Sequence, residues 1–248
     1  MKYVDCKKYA QEILDKVKAA PYKKKLAIIT VGEDEASKSY VKGKIKDAEY
    51  CGIPVEHIKI PDDVLVSEER LKHTICTLNV DTSVAGIIVQ LPLPKWMGDP
   101  YKYTNLILPH KDVDGLSSHS RFKPCTPRGI VYLLEKELGD IAGKSALVIG
   151  RSNLVGRPLA NMLLDRDCTV TVAHSKTNQY TLQNIMKQSD IVISALGKPK
   201  FLDLFYCWKA EIVVDVGINR DKDGKLCGDC FNTEGRDVTP VPGGVGLL

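Results

Sequence analysis

Tyr40 and Lys44 stand four residues apart in residues 37–51, where Val41, Ile45 and Ala48 recur at the spacing of a helix. Four residues is about one turn, so phenol and amine stack on one flank, at the border of the apolar face. Lys42 and Lys46 fall on the other side, toward water. An amine half-buried at such a border sheds its proton more readily than one in bulk water, which suits proton transfer near neutral pH. The same position also suits a surface lysine that lays its stem over apolar neighbours. Gln90 closes the apolar run 85–89. In parallel α/β sheets ligands gather at the carboxyl ends of strands, so an amide there can bond a substrate or orient a nearby lysine. Asp112 and Asp114 lie in Lys111-Asp112-Val113-Asp114-Gly115. A carboxylate there can accept two N–H bonds from an amino-pyrimidine edge, or close an Asx turn before Gly115.

A second constellation begins at Gly150-Arg151-Ser152-Asn153-Leu154-Val155-Gly156-Arg157-Pro158, directly after the apolar run 145–149. Strand, glycine-bounded turn and helix start together aim backbone N–H groups and a helix dipole at a phosphate. As a bare string the glycines also suit an ordinary strand-to-helix turn, but three further strands follow at the right spacing. The next strand ends in Ala173-His174-Ser175-Lys176. An NAD site usually carries Asp or Glu there for the ribose 2′-hydroxyl. No acid is available here to repel a 2′-phosphate, Arg151 is close enough to pair with one, and His174 and Ser175 can add hydrogen bonds. This favours NADP over NAD, although His174 taken alone reads as a surface-loop histidine.

The elements that must position these groups follow from the apolar pattern. Helical spacing covers 5–19 and 67–79, and aliphatic runs mark strands at 26–31, 54–60 and 85–89; Gly52 is placed to end helix 37–51. This β-α-β-α-β order predicts a parallel sheet covered by helices. From Leu91 to Pro127 the texture is loop-like, with five prolines between Pro92 and Pro124. A helix is expected over 128–138. A second α/β unit then reads as strands at 145–149, 169–172, 191–194 and 212–216, with helices at 154–164 and 181–188. The fold class is α/β with two domains: an N-terminal three-layer domain, 1–122, and a C-terminal Rossmann-type nucleotide-binding domain with a parallel sheet, 123–248.

Composition narrows the function classes. The 248 residues are 44% hydrophobic but only 6% aromatic, so aliphatic side chains must build the cores. The net charge of +4 is spread out; its densest cluster, Lys23 to Lys25, precedes a strand, and no arginine-rich or aromatic-interleaved stripe points to nucleic acid. The polar, lysine-rich start suggests no secretory leader and no apolar run suggests a membrane span, so a cytoplasmic, reducing setting is expected for the eight cysteines. Cys227 and Cys230 form a lone C-x-x-C pair. It lacks two further ligands for zinc and does not open a helix, so no metal is expected.

Taken together the segments resemble the family of bifunctional methylenetetrahydrofolate dehydrogenase/methenyltetrahydrofolate cyclohydrolases. The resemblance rests on Val31 to Ser37 with Tyr40, Val41 and Lys44, on Gly86 to Pro94, and on Lys111 to Gly115. It continues through Pro124-Cys125-Thr126-Pro127, Gly150 to Pro158, Val214 to Asn219 and Thr239 to Gly246, in order over nearly the whole chain. It implies that NADP⁺ takes a hydride from 5,10-methylenetetrahydrofolate and that water then opens the methenyl cation to 10-formyltetrahydrofolate, in a cleft between the domains. By the same resemblance Lys44 is the acid/base of hydrolysis, Gln90 tunes it, Asp114 holds the pterin and Tyr40 stacks on the folate. Gly150, Arg151, Ser152, Ser175 and Ile218 line the NADP site, and a homodimer forms through the nucleotide domains. Two departures stand out. Relatives continue past Gly-Gly-Val-Gly with Pro-Met-Thr and a helix returning to the first domain, whereas Leu247-Leu248 follow here; looser interdomain geometry, or a catalytically impaired folate- and NADP-binding protein, is the alternative this raises. Cys230 stands in a segment where relatives commonly have Val-Asp. A dehydrogenase of another small substrate on the plan of shikimate dehydrogenase is a further alternative, against which the set Tyr40, Lys44, Gln90 and Asp114 argues.

Overall fold

The computed structural model describes residues 3–21 and 24–248, with the side chain of Ala36 also outside the description; Lys23 of the lysine cluster therefore lies outside the described residues. The chain divides into two compact units, one of Glu12–Lys123 and one of Pro124–Leu248 with the N-terminal residues up to Gln11.

In the first unit, α1 (Cys6–Lys18, shared with the other unit) precedes β1 (Lys25–Val31), α2 (Glu35–Cys51), β2 (Val55–Ile60), α3 (Ser67–Val80) and β3 (Val84–Val89). The strands pair in parallel in the order β2-β1-β3. Successive strand residues point to opposite faces, so β1 serves two cores. Ala27, Ile29 and Val31 pack against Leu71, Ile75 and Leu78 of α3, while Ile28 meets Val41 of α2 and Ile88 of β3. Three layers result. Asp34 caps α2 by accepting from the Ser37 N–H at 2.8 Å, and Gly52 ends it in the left-handed conformation at φ 69°. The stretch read as loop contains a 3₁₀ turn at Lys95–Met97 and a short α4 (Tyr101–Thr104), and Asp112 forms a parallel bridge with Ile87, extending the sheet beyond β3.

In the second unit, α5 (Cys125–Leu138) is followed by β4 (Ser145–Ile149), α6 (Gly156–Leu164), β5 (Thr169–Ala173), α7 (Gln179–Met186) and β6 (Ile191–Ser194). Then come β7 (Leu202–Asp203), β8 (Ile212–Asp215), β9 (Asn219–Arg220), β10 (Leu226–Cys227) and β11 (Cys230–Phe231). The main sheet is parallel, in the order β5-β4-β6-β8. Its two faces again divide the core: Val148, Ile193 and Val214 pack on α5 and α6, whereas Leu147, Val192 and Val213 pack with Met186, Leu202 and Leu204. Helix α5 starts three residues before the expected Arg128. Pro127 sits in its first turn, where a missing N–H leaves no bond unmade, so the prolines that read as loop are compatible with helix. Helix α6 starts at Gly156 rather than Leu154. The two-residue pairs β9–β10 and β7–β11 carry no periodicity and were not expected. No described helix is long and apolar enough to cross a membrane.

Candidate functional site

In the unit of Glu12–Lys123, α2 presents Lys44 half-buried and Tyr40 42% exposed, while Lys42 and Lys46 face solvent. Partial burial pushes the Tyr40 phenol up, so it remains a protonated, flat amphipathic surface at neutral pH. The Lys44 Nζ donates to Gln90 Oε1 at 3.1 Å. The Gln90 amide cannot turn freely: its Nε2 donates to the Leu91 carbonyl at 2.7 Å, and its backbone N–H bonds Ile29 of β1 at 2.9 Å. With the donor side committed, Oε1 must face the lysine. Gln90 is 9% exposed and Lys44 half-buried, so this is a partly desolvated contact, made by a neutral acceptor that orients the amine without neutralising it.

The two aspartates of the loop separate into different roles. Asp112 is 1% exposed, and its oxygens accept from the N–H groups of Gly115 at 3.1 Å and Ser117 at 2.8 Å. It builds the turn. Asp114 is half-buried, and its carboxylate has no hydrogen-bond partner among the described residues. Lys111 fixes the same segment from below: its Nζ donates to the carbonyls of Leu78 at 2.8 Å and Asp81 at 2.7 Å, closing the end of α3. Burial pushes this ammonium down from its ordinary range. The Asx turn before Gly115 was one of the two sequence readings of this aspartate pair, and Asp112 makes it; which of the two aspartates would be buried, and the Lys111 anchor, were not expected.

In the other unit, Gly150, Arg151, Ser152, His174 and Ser175 line one cavity of about 550 Å³ at the carboxyl ends of β4 and β5. Ile218 does not line it and is 50% exposed, next to β9. The turn is closed by backbone contact. A Cβ on Gly156 would lie 2.2 Å from the Gly150 carbonyl oxygen, so no side chain fits there. Ser152 caps α6, its Oγ accepting from the N–H groups of Val155 at 3.1 Å and Gly156 at 3.4 Å. The Ser152 carbonyl also accepts from the Arg157 N–H at 3.0 Å, so the first amides of the helix, those of Gly156 and Arg157, are occupied from within the chain. The amides of Arg151, Ser152, Asn153 and Leu154 have no acceptor among the described residues, so the donors available to an anion lie in the turn itself. Arg151 is exposed, and its carbonyl accepts from Arg157 Nε at 3.3 Å, which brings a second guanidinium to the turn.

His174 closes a small turn after β5. Its N–H donates to Thr177 Oγ1 at 2.9 Å and its Nδ1 accepts from the Lys176 N–H at 3.2 Å. A neutral ring with Nδ1 so used carries its proton on Nε2 and presents a donor. The residues that end the strand, 173–177, include no carboxylate; among the described residues the cavity's one lining carboxylate is Asp203 of β7. The cavity continues along Ala195, Leu196 and Lys198 after β6, residues that sequence reasoning missed although the end of a parallel strand was a usable signal. Cys227 is half-exposed and Cys230 buried, and among the described residues no cysteine is joined in a disulfide.

Residues 4–114 match the family model of the tetrahydrofolate dehydrogenase/cyclohydrolase catalytic domain, and residues 124–248 that of the tetrahydrofolate dehydrogenase/cyclohydrolase NAD(P)-binding domain. The chain is 45% identical over 238 residues to the bifunctional protein FolD of Ligilactobacillus salivarius, an alignment covering 90% of this chain and 81% of that one. The crystal structure of the bifunctional FolD of Campylobacter jejuni superposes with a TM-score of 0.91 at 38% identity, covering 100% of this chain and 93% of that one. The Trypanosoma brucei FolD, solved with NADP cofactor and an inhibitor, superposes with a TM-score of 0.89 at 30% identity, over 99% of this chain and 92% of that one. With both halves matched and 81–93% of these relatives covered, the chain belongs to the tetrahydrofolate dehydrogenase/cyclohydrolase family.

Proposed function

We propose that this enzyme oxidises 5,10-methylenetetrahydrofolate with NADP⁺ and hydrolyses the resulting 5,10-methenyl compound to 10-formyltetrahydrofolate. The observation that carries the hydrolytic half is the contact of Lys44 with a Gln90 amide that is itself pinned. Residues 1–122 form the folate-binding catalytic part and 123–248 the nucleotide-binding part.

Bound NADP⁺ supplies the hydride acceptor. The chain's groups suit it: turn amides for the linking phosphates, Arg151, His174 Nε2–H and Ser175 for a 2′-phosphate, Gly150 and Ser152 as the close-packed floor, and Ile218, outside the cavity lining itself, as a further nucleotide contact. The absence of an acid at the end of β5 favours NADP over NAD. On the folate side, Tyr40 offers a face for stacking and the unpartnered Asp114 carboxylate accepts the amino-pyrimidine N–H groups. Loss of hydride leaves a cation on the folate, and water must then lose a proton to attack it. Lys44, oriented by Gln90, takes that proton in its amine form and returns it as the ring opens. No observation favours the impaired alternative. A homodimer joined through the nucleotide-binding halves, in a cytoplasmic, reducing setting that keeps the cysteines as thiols, completes the proposal.

The test is to mix the purified chain with methylenetetrahydrofolate and NADP⁺ and follow the methenyl absorbance. A rise followed by catalysed decay is expected. No rise sinks the dehydrogenase; a rise with only spontaneous decay sinks the cyclohydrolase.

A further inference from the structure

Asp229 belongs to none of the groups assigned above, yet it is the most heavily used buried carboxylate near the nucleotide cavity. It lies in the turn between β10 and β11 and is 0% exposed. Oδ2 accepts from Ser194 Oγ at 3.0 Å and from the N–H groups of Leu196 at 2.8 Å and Gly197 at 3.3 Å. Oδ1 accepts from the Lys198 N–H at 2.8 Å and from Asn219 Nδ2 at 2.8 Å. All five donors are neutral, so the charge is held by dipoles alone. Such a carboxylate can be held only where the donors converge on it, and its bonds are among the strong ones.

Three of those donors are consecutive amides of the segment that leaves β6 and walls the cavity through Ala195, Leu196 and Lys198. Without an acceptor they would face the protein interior unpaired, and the segment would have to rearrange. The backbone carbonyl of Asp229 extends the grip, accepting from Phe201 at 2.7 Å and Leu202 at 2.8 Å, which also line the cavity. On the other side, Asn219 adjoins Ile218, and the chain crosses so near that a Cβ on Gly217 would lie 2.2 Å from Asp229 Oδ1. Asp229 is itself held in place: its N–H donates to Asp215 Oδ1 at 3.0 Å, and the next N–H, that of Cys230, donates to Asp215 Oδ2 at 2.9 Å.

We propose that Asp229 is a positioning residue for the dinucleotide: one buried carboxylate sets both the 195–198 wall and the Ile218–Asn219 segment at the carboxyl ends of β6 and β8. It touches no reacting atom. The inference rests on the nucleotide reading of this cavity. The attention that Cys227 and Cys230 draw in the sequence belongs to the aspartate between them.

The experiment uses the full chain with Asp229→Asn and, separately, Asn219→Ala. The readouts are the NADP⁺ Kd, the dehydrogenase KM and kcat, and hydrolysis of added methenyltetrahydrofolate, which consumes no dinucleotide. Asp229→Asn exchanges one acceptor for a donor facing donors, and is expected to raise the NADP⁺ Kd and KM about tenfold or more. Asn219→Ala removes a single donor and is expected to raise them roughly threefold. Hydrolysis should stay within about twofold of wild type in both, as expected for independent sites. Unchanged Kd and KM in both variants overturn the proposal, and so does a parallel fall of hydrolysis and nucleotide affinity, the mark of general destabilisation. If Asp229→Asn does not fold, an unchanged KM in Asn219→Ala overturns it. The wild type reports separately on the underlying reading: a wild type that binds neither NADP⁺ nor NAD⁺ sinks that reading and this inference together.

Discussion

Replacing Lys44 by Met isolates the proposed proton carrier. Methionine keeps an unbranched stem along the edge of α2, so the packing of Val41 and Ile45 stays intact, and only the amine is lost. Its partner Gln90 Oε1 loses a donor at 3.1 Å, while Nε2 keeps the Leu91 carbonyl. The stability change is then about 1 kcal/mol, because one partly hydrated acceptor is left unmet. The rate effect is larger. A positioned acid–base group contributes roughly 10²- to 10⁴-fold, or about 3 to 5 kcal/mol at 1.36 kcal/mol per factor of ten. Hydrolysis of methenyltetrahydrofolate, followed by the loss of its absorbance, should fall by that factor. NADP⁺ affinity should not move, since Lys44 and the turn after β4 belong to different units. Gln90→Ala should cost hydrolysis about 10- to 100-fold, the value of a hydrogen bond to a charged group. The double variant should be no slower than Lys44→Met, because Gln90 acts only through the lysine. Hydrolysis within about threefold of wild type in Lys44→Met refutes the assigned role; strictly additive losses in the double variant refute the coupling.

Arg151→Ala should raise the KM for NADP⁺ roughly tenfold to 150-fold and leave that for NAD⁺ nearly unchanged, with the gap shrinking in high salt; equal effects on both dinucleotides contradict a 2′-phosphate contact. Asp112→Ala strands the buried N–H groups of Gly115 and Ser117, which should lower stability by about 2–4 kcal/mol in denaturant titration and raise the KM for folate through Asp114 in the same turn. Burial holds the Asp215 carboxyl above its ordinary range. As pH climbs from that ordinary range toward the raised folded value, the unfolded chain releases its proton first, so this group's contribution to stability falls across the window and is level above it. Asp215→Asn removes the titration, so the stability gap between wild type and variant should narrow from pH 4 toward pH 7; a gap that widens contradicts the sign.

Much of this was legible because the signals are local. Aliphatic runs of strand length, separated by helical spacing, gave both parallel sheets, and the border position of Lys44 followed from counting residues per turn. Strand ends pointed to Gln90 and to the turn after β4. Other features depend on through-space relations that no window contains. Helix α5 begins among prolines because the first turn needs no donors, so Pro124 and Pro127 read as loop when only Pro124 precedes the helix. Asp112 and Asp114 are indistinguishable by type, and only the path of the chain beside β3 buries one of them. Ser152 looked like a phosphate contact, yet its hydroxyl also caps α6. Asp229 gathers donors up to 35 residues away in sequence, with no motif to announce it.

The serine cap has a consequence for turnover. Because Ser152 satisfies the first amides of α6 from within, Gly156 through its Oγ and Arg157 through its carbonyl, that helix end needs no ligand to stay ordered, and the amides left for an anion belong to a turn pinned by the contact of Gly156 with Gly150. The entropy of ordering this cradle is spent once, during folding, and does not recur at each encounter with the nucleotide. A dinucleotide that must depart after every hydride transfer thus leaves behind the same surface that the next one meets, and exchange need not wait for the helix to re-form.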